Sequence, residues 1–227
     1  MLTQNDHKRI ADAITEAESK SSGEIFCVLA HEVSRYREVP LLWASVAALA
    51  GPPLLVLLGL RRLALADIFT SWTDDSLRSV ESLIVRALST YSLLQAGLFL
   101  AVALVVSLPK VRRVMTPRFL KRHRVRQLAR HHFVASGARL SHAEPHILIY
   151  ASLQDRQVEL VAHDAIHKAV GEGPWNAAVA AVTEGMKQGK PADGFVNAIK
   201  ICGDALTAHF PSTGPAKNQL SNDILEV

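Results

Sequence analysis

Two long apolar blocks interrupt a chain that otherwise carries the shorter patterns of amphipathic helices and strands. The first block, residues 41–60, reads LLWASVAALAGPPLLVLLGL, and the second, residues 87–109, reads ALSTYSLLQAGLFLAVALVVSLP. Neither contains a charged side chain, and each is long enough to cross about 30 Å of bilayer hydrocarbon. The alternative, a buried helix of a soluble protein, nearly always shows some polar face over this length. We therefore expect two transmembrane helices, the first of them kinked at Gly51, Pro52 and Pro53.

The residues before the first block predict one helix and one strand. Residues 3–21 have an amphipathic pattern, with Thr3 and Asp6 as an N-terminal capping pattern and Gly23 as the stop. Residues 24–30, EIFCVLA, form a nearly continuous apolar run, which is typical of a strand covered on both faces. A single strand is not stable by itself, so it must join a sheet built from residues beyond the second block.

The residues after the second block supply the expected partners. A helix is predicted for residues 118–136, ending at Gly137, followed by a hairpin of residues 146–153 and 157–163. Three further helices are predicted: one capped by Asp164 and ended by Gly171, one between Pro174 and Gly189, and one over residues 192–209. The final residues read as an extended tail. These elements predict an α/β fold, a small helix-sheet-helix sandwich interrupted by a two-helix transmembrane hairpin.

The resulting organisation is a split domain. We expect residues 1–37 to provide its first helix and strand, residues 41–60 and 87–109 the spans, residues 61–86 an extracytoplasmic loop, residues 110–211 a basic arm with the remainder of the domain, and residues 212–227 the tail.

The charge distribution predicts the orientation in the membrane. Residues 110–143 hold ten basic side chains and no acidic one. The basic arm follows the second span directly, where Lys and Arg hold a segment in the cytoplasm. We therefore expect an inner-membrane protein with both termini cytoplasmic and with the arm on anionic headgroups. The arm residues that we assign to this surface are Lys110, Arg112, Arg113, Arg118, Lys121, Arg122, Arg124 and Arg126.

Two other interpretations of the arm are nucleic-acid contact and an ordinary solvated helix face. Single-stranded nucleic acids are commonly bound by aromatic side chains that stack on bases, and the arm offers only Phe119 and Phe133. We therefore expect no nucleic-acid partner, and we expect the bilayer, its anionic headgroups and a membrane-protein partner instead.

Candidate catalytic chemistry is sparse. His163 and His167 lie four residues apart with Asp164 beside them and Glu144 upstream, a set that could hold a divalent metal. The alternative is that these are ordinary cap and surface residues, which the absence of an HExxH glutamate favours. No Gly-x-Ser-x-Gly turn or phosphate-cradling glycine loop is present. No catalytic residue is assigned, and we expect no cofactor, with a divalent metal as the alternative.

The order of the elements resembles a known family. Three segments are similar to the TPM domain: GEIFCVL, HILIYASLQDRQVELVA and WNAAVAAVTEGMKQGKPADGFVNAIKICGDAL. This domain is also called TPM phosphatase, and it is known from thylakoid photosystem repair proteins. The chain most resembles a short bacterial membrane branch with a two-span insertion and a tail like NQLSNDILEV. The resemblance implies the same split domain. The family's Asp-Asn-Gly turn and Gly-x-Gly-x-Glu segment, associated with metal binding or phosphatase activity, are replaced here by AEPHIL and VAHDAIH.

Two functions follow as hypotheses. The first is a membrane-tethered, non-catalytic module that binds a partner or helps to assemble or maintain a membrane complex. The second is a metal-assisted phosphatase on the same fold, which rests on the shared fold alone. The absence of a convincing nucleophile, base or ligand set favours the first.

Overall fold

The computed structural model describes residues 2–34, 36–58, 80–138, 145–212 and 220–227 and divides the chain into two compact units. One unit combines Met1–Arg35 with Arg118–Val227, and the other is Tyr36–Pro117. The elements of the first unit are α1 (Gln4–Lys20), β1 (Glu24–Ala30), α5 (Arg118–Gly137), β2 (His146–Ser152), β3 (Gln157–Ala162), α6 (Asp164–Val170), α7 (Gly173–Lys187), α8 (Pro191–His209) and β4 (Leu225–Glu226). The second unit contains α2 (Glu38–Leu57), α3 (Val80–Ser107) and α4 (Pro109–Met115).

The sheet of the first unit joins strands from both ends of the chain. Its order is β3-β2-β1-β4, with β1 parallel to both β2 and β4 and with β2 antiparallel to β3. The register places Ile25 opposite Ile147 and Leu29 opposite Ala151. Both the predicted hairpin and the predicted pairing of β1 with it are therefore confirmed, and the fold is α/β with a mixed four-stranded sheet.

Alternate residues of β1 and β2 point to opposite faces of the sheet. Both faces are buried, because helices pack on each of them. On one face Ile25, Cys27 and Leu29 join the larger core, together with apolar residues of α1, α6, α7 and α8. On the other face Val28 and Ala30 pack with Leu148, Tyr150, Val125 and Ala129, the last two from α5. The helix-sheet-helix sandwich is thus observed, with several helices on one face and α5 on the other.

The helix ends show which cap predictions were right. The Thr3 and Asp6 capping box is confirmed, since the Thr3 Oγ1 accepts from the Asp6 N–H and the Asp6 carboxylate accepts from the Thr3 N–H. The prediction that Gly23 stops α1 was wrong, because the helix ends at Lys20 and extended Ser21 follows it as C-cap. Gly171 caps α6 with a φ of 76°, a left-handed conformation that favours glycine.

The C-terminal tail is more ordered than an extended coil. Leu225 and Glu226 form β4, which extends the sheet beyond β1. The His31 N–H donates to the Val227 carbonyl oxygen over 2.7 Å, and the Val227 N–H donates to the Leu29 carbonyl over 3.1 Å. The tail therefore covers the edge of β1 that would otherwise present unpaired backbone groups.

The second unit is built on α2 and α3, the two described helices that are long and apolar enough to cross a membrane. The segments of these helices that meet this criterion, Glu38–Leu55 and Leu88–Ser107, have mean hydropathies of 1.3 and 1.8. Helix α2 runs through Pro52 and Pro53 to Leu57. Of the predicted loop 61–86 between the spans, residues 61–79 lie outside the described residues, and residues 80–86 form the first turns of α3.

Candidate functional site

The residues proposed as metal candidates do not come together in the part of the chain that the structure describes. His163 and not Asp164 caps α6, because the His163 Nδ1 accepts the Ala165 N–H over 3.3 Å. Asp164 and His167 lie exposed on the same short helix. Glu144 lies outside the described residues. Within residues 2–34, 36–58, 80–138, 145–212 and 220–227, no group of three or more His, Cys, Asp or Glu side chains is placed to hold a metal ion.

A row of aromatic and histidine rings lies between α5 and the sheet instead. The His146 ring stacks on Phe133 with ring centroids 4.1 Å apart, and its Nε2 lies 3.4 Å from the Phe133 carbonyl oxygen. His132 packs near Tyr150 at a centroid distance of 5.6 Å. Burial raises the pKa of the Tyr150 hydroxyl to about 12 and lowers the pKa of His132. These rings serve packing, because they fill the space beneath α5.

Two acidic side chains that the sequence analysis did not single out are buried where α1 ends and β1 begins. The Glu18 carboxylate accepts the Ile25 N–H over 3.0 Å, and the Glu24 carboxylate accepts the Leu220 N–H over 2.8 Å. Burial is the main cause that raises the pKa of Glu18 to about 7. The spacing of Ile10, Ile14 and Glu18 along one face of α1 is the signal that could have placed Glu18 inside.

The strongest surface feature of the described α/β unit is a stripe of arginines on α5. Arg118, Arg122, Arg126 and Arg130 follow one another at intervals of four residues, so they share one face of the helix, and all four are exposed. We call these four residues the arginine stripe. No acidic residue occurs on α5. Phe119, which is 73% exposed, lies beside the stripe at its N-terminal end.

One member of the stripe has an acidic neighbour from the sheet. The Arg126 Nε lies 3.3 Å from the Glu159 carboxylate on β3. The Glu159 carboxylate offsets the charge of Arg126 locally, but a surface ion pair of this kind is weak, so Arg126 can exchange this carboxylate for a phosphate group. A row of guanidinium groups is suited to phosphate, because each presents several donors in a fixed plane.

The other predicted arm residues fall into two groups. Lys121 and Arg124 lie on α5 and are half-buried, so they are less accessible than the stripe. Lys110, Arg112 and Arg113 lie on α4, which belongs to the other unit. Arg130 was not among the residues assigned from the sequence, although its spacing from Arg126 would have identified it.

Comparisons with known proteins bear on the fold. No family model matches this chain, and no curated protein matches it. The chain is similar to the NMR structure of the BA42 protein from the psychrophilic bacterium Bizionia argentinensis, with a TM-score of 0.54 and 18% sequence identity. The match covers 100% of this chain and 96% of that one. At this identity the likeness concerns the fold alone.

Proposed function

We propose that this chain is a membrane-tethered module, similar to the TPM domain, whose α/β unit works at the cytoplasmic membrane face as a binding or assembly factor. The observation that carries the proposal is the arginine stripe, an acid-free helix face on a unit interrupted by two apolar helices. The tether is α2 with α3, and the stripe contacts anionic headgroups.

The chain order supports the lipid contact. Helix α5 begins at Arg118, eleven residues after α3 ends at Ser107. A cytoplasmic leaflet carries anionic lipids, and each Lys or Arg close to it gains about 1 kcal/mol. Four stripe residues together therefore gain up to about 4 kcal/mol, which is several times the thermal energy RT. Phe119 adds an apolar ring that suits the boundary between headgroups and acyl chains.

The experiment uses Phe119→Cys in the full chain. Cys27 and Cys202 are both buried, so a water-soluble maleimide labels the introduced thiol selectively. The protein is placed in nanodiscs of zwitterionic lipid, with or without phosphatidylglycerol. We expect the anionic lipid to slow labelling several-fold and added salt to reverse the effect.

The decisive variants differ only in where charge is removed. Changing Arg118, Arg122, Arg126 and Arg130 to Gln should abolish the effect of phosphatidylglycerol. Changing the exposed residues Lys8, Lys168, Lys190 and Lys200 to Gln removes the same charge from other elements and should leave it intact. Equal behaviour of the two variants would refute a specific lipid contact of α5.

The phosphatase alternative can be separated by a second assay. Among the described residues, no group of three or more His, Cys, Asp or Glu side chains is placed to hold the metal that this activity would use. Release of phosphate from a generic ester is measured with and without added divalent metal, and His163→Ala with His167→Ala serves as the variant. Metal-dependent release that this variant loses would support the enzyme; absence of release would leave the tethered module as the better proposal.

A further inference from the structure

A groove of about 400 Å³ lies within the helix pair of the second unit. Three polar side chains line it in helices otherwise suited to lipid, namely Ser45 on α2 and Ser92 and Gln95 on α3. The remaining lining residues are apolar: Ala48 and Leu49 on α2, and Ala96 and Phe99 on α3. Ser92, Gln95 and Phe99 share one face of α3, since they follow at spacings of three and four residues. The groove is therefore a continuous surface and not a set of scattered residues.

Gln95 is the most polar group of this groove. Its side chain is half-buried, and within the described part of the chain it forms no hydrogen bond. The same holds for the hydroxyl groups of Ser45 and Ser92, which line the groove beside it. Hydrocarbon offers no hydrogen-bond partners, so a carboxamide at this position is costly until another protein group satisfies it.

We propose that a second copy of this chain docks in this groove, pairing Gln95 with Gln95 across a twofold axis normal to the membrane. The inference rests on the proposed membrane insertion of α2 and α3. A carboxamide both donates and accepts, so two identical side chains satisfy one another. Polar side chains of this kind are known to join helices within membranes.

Membrane insertion favours a second copy over an unrelated partner. Every copy inserts in the same orientation, so Gln95 of one copy lies at the same depth as Gln95 of the other. The polar group that each carboxamide requires is therefore already present in the second copy. A twofold contact is also the commonest symmetric arrangement of identical chains. Ala96, which lines the groove and is exposed, is small enough to let the helices of the two copies approach closely.

A different face of α3 provides the matched control. Leu93 is 62% exposed and does not line the groove. It follows Ser92 directly, so Ser92→Cys and Leu93→Cys place a thiol at nearly one depth but on different faces of the helix. The native thiols of Cys27 and Cys202 are buried and do not compete.

The test is oxidative crosslinking of the full chain in native membranes. Ser92→Cys should give a covalent dimer, and Leu93→Cys should give little. Adding Gln95→Leu to Ser92→Cys should weaken association by about three- to thirtyfold, the range expected for interhelical hydrogen bonds. Gln95→Asn retains the carboxamide and should retain most of the dimer.

The outcomes separate this inference from the proposed function. Alkaline extraction of the same membranes first shows whether the chain is integral, and a chain that is extracted refutes both. An integral chain that remains monomeric, crosslinks equally through Leu93→Cys, or crosslinks to a different protein refutes the second copy while the tether stands.

Discussion

The Glu18 carboxylate accepts a hydrogen bond from the Ile25 N–H over 3.0 Å, which links the end of α1 to the start of β1. Glu18 is only 7% exposed, and Glu24 lies close enough to add repulsion. Burial, the largest cause, and the charge of Glu24 raise the pKa of Glu18 from 4.5 to about 7.

The raised pKa predicts a stability change with pH. The folded state holds the Glu18 proton more tightly than the unfolded state, so its contribution is complete below about pH 4.5 and is lost as the pH rises through about 7. The loss amounts to about 3 kcal/mol, because each unit of pKa difference between the folded and unfolded states corresponds to about 1.4 kcal/mol. Glu18→Gln should remove this dependence, measured by urea unfolding of the purified full chain. The control Glu16→Gln changes an exposed carboxylate and should keep it; a pH dependence that survives Glu18→Gln would contradict the assignment.

The split sheet predicts that neither part of the α/β unit folds alone. Ile25, Cys27 and Leu29 are at most 2% exposed, and they pack among residues contributed by the far end of the chain. Each such side chain contributes about 1.5–3 kcal/mol when buried. Loss of several of them therefore removes most of the free energy of unfolding of a small domain, which is typically about 5–15 kcal/mol. We expect residues 118–227 alone to lack a cooperative unfolding transition and to gain one when joined to residues 1–35 by a flexible linker. A cooperative transition of residues 118–227 without that linker and segment would show that the N-terminal part is an appendage.

The tail makes a graded prediction. Leu220 and Ile224 are 6% and 3% exposed, whereas Leu225 is 40% exposed. Removing residues 225–227 should therefore cost little stability but should speed hydrogen exchange at His31, whose N–H bonds Val227. Removing residues 220–227 should cost about 3–6 kcal/mol as well, because two buried apolar side chains are lost. If both truncations have equal effects on stability, the tail is not anchored through Leu220 and Ile224.

Helices α7 and α8 approach each other closely at two glycines, Gly185 and Gly194. A Cβ added at Gly185 would lie 2.7 Å from the Gly194 Cα, whereas one added at Gly173 of the same helix would meet nothing within 4 Å. We expect Gly185→Ala to destabilise the unit by about 1–3 kcal/mol through overpacking, and Gly173→Ala to have little effect. Thermal unfolding of the two variants measures the difference. Equal melting temperatures would mean that the helices separate without cost.

The sequence predicted best where a pattern was local and strong. Strand β1 was located at both ends, because an apolar run lies between Gly23 and the polar residues from His31 onward. Strand β4 was missed, since Leu225 and Glu226 are too short a segment to carry a pattern, and their strand geometry comes from the β1 edge. His163 replaced Asp164 as the cap because the two neighbours compete for the same N–H groups, and only the backbone geometry decides between them.

The candidate surfaces were predicted only in part. An acid-free basic arm was visible in the sequence, and its four-residue spacing could have grouped Arg130 with the rest of the stripe. That this face of α5 is the exposed one depends on how the helix packs on the sheet. The groove at Gln95 depends on how α2 and α3 pack, which includes the contact of Gly51 with Leu98. No single-sequence pattern specifies that packing.

In the proposed topology, α2 and α3 span the membrane and leave the whole α/β unit in the cytoplasm. The most direct measurement is labelling of single introduced thiols in intact cells with a membrane-impermeant maleimide, using Lys8→Cys, Lys200→Cys and, between the two spans in sequence, Ser71→Cys. We expect labelling of Ser71→Cys in intact cells and labelling of the other two only after lysis. Labelling of Lys200→Cys in intact cells, or protection of all three sites with release of the protein from the membrane by alkali, would contradict this topology.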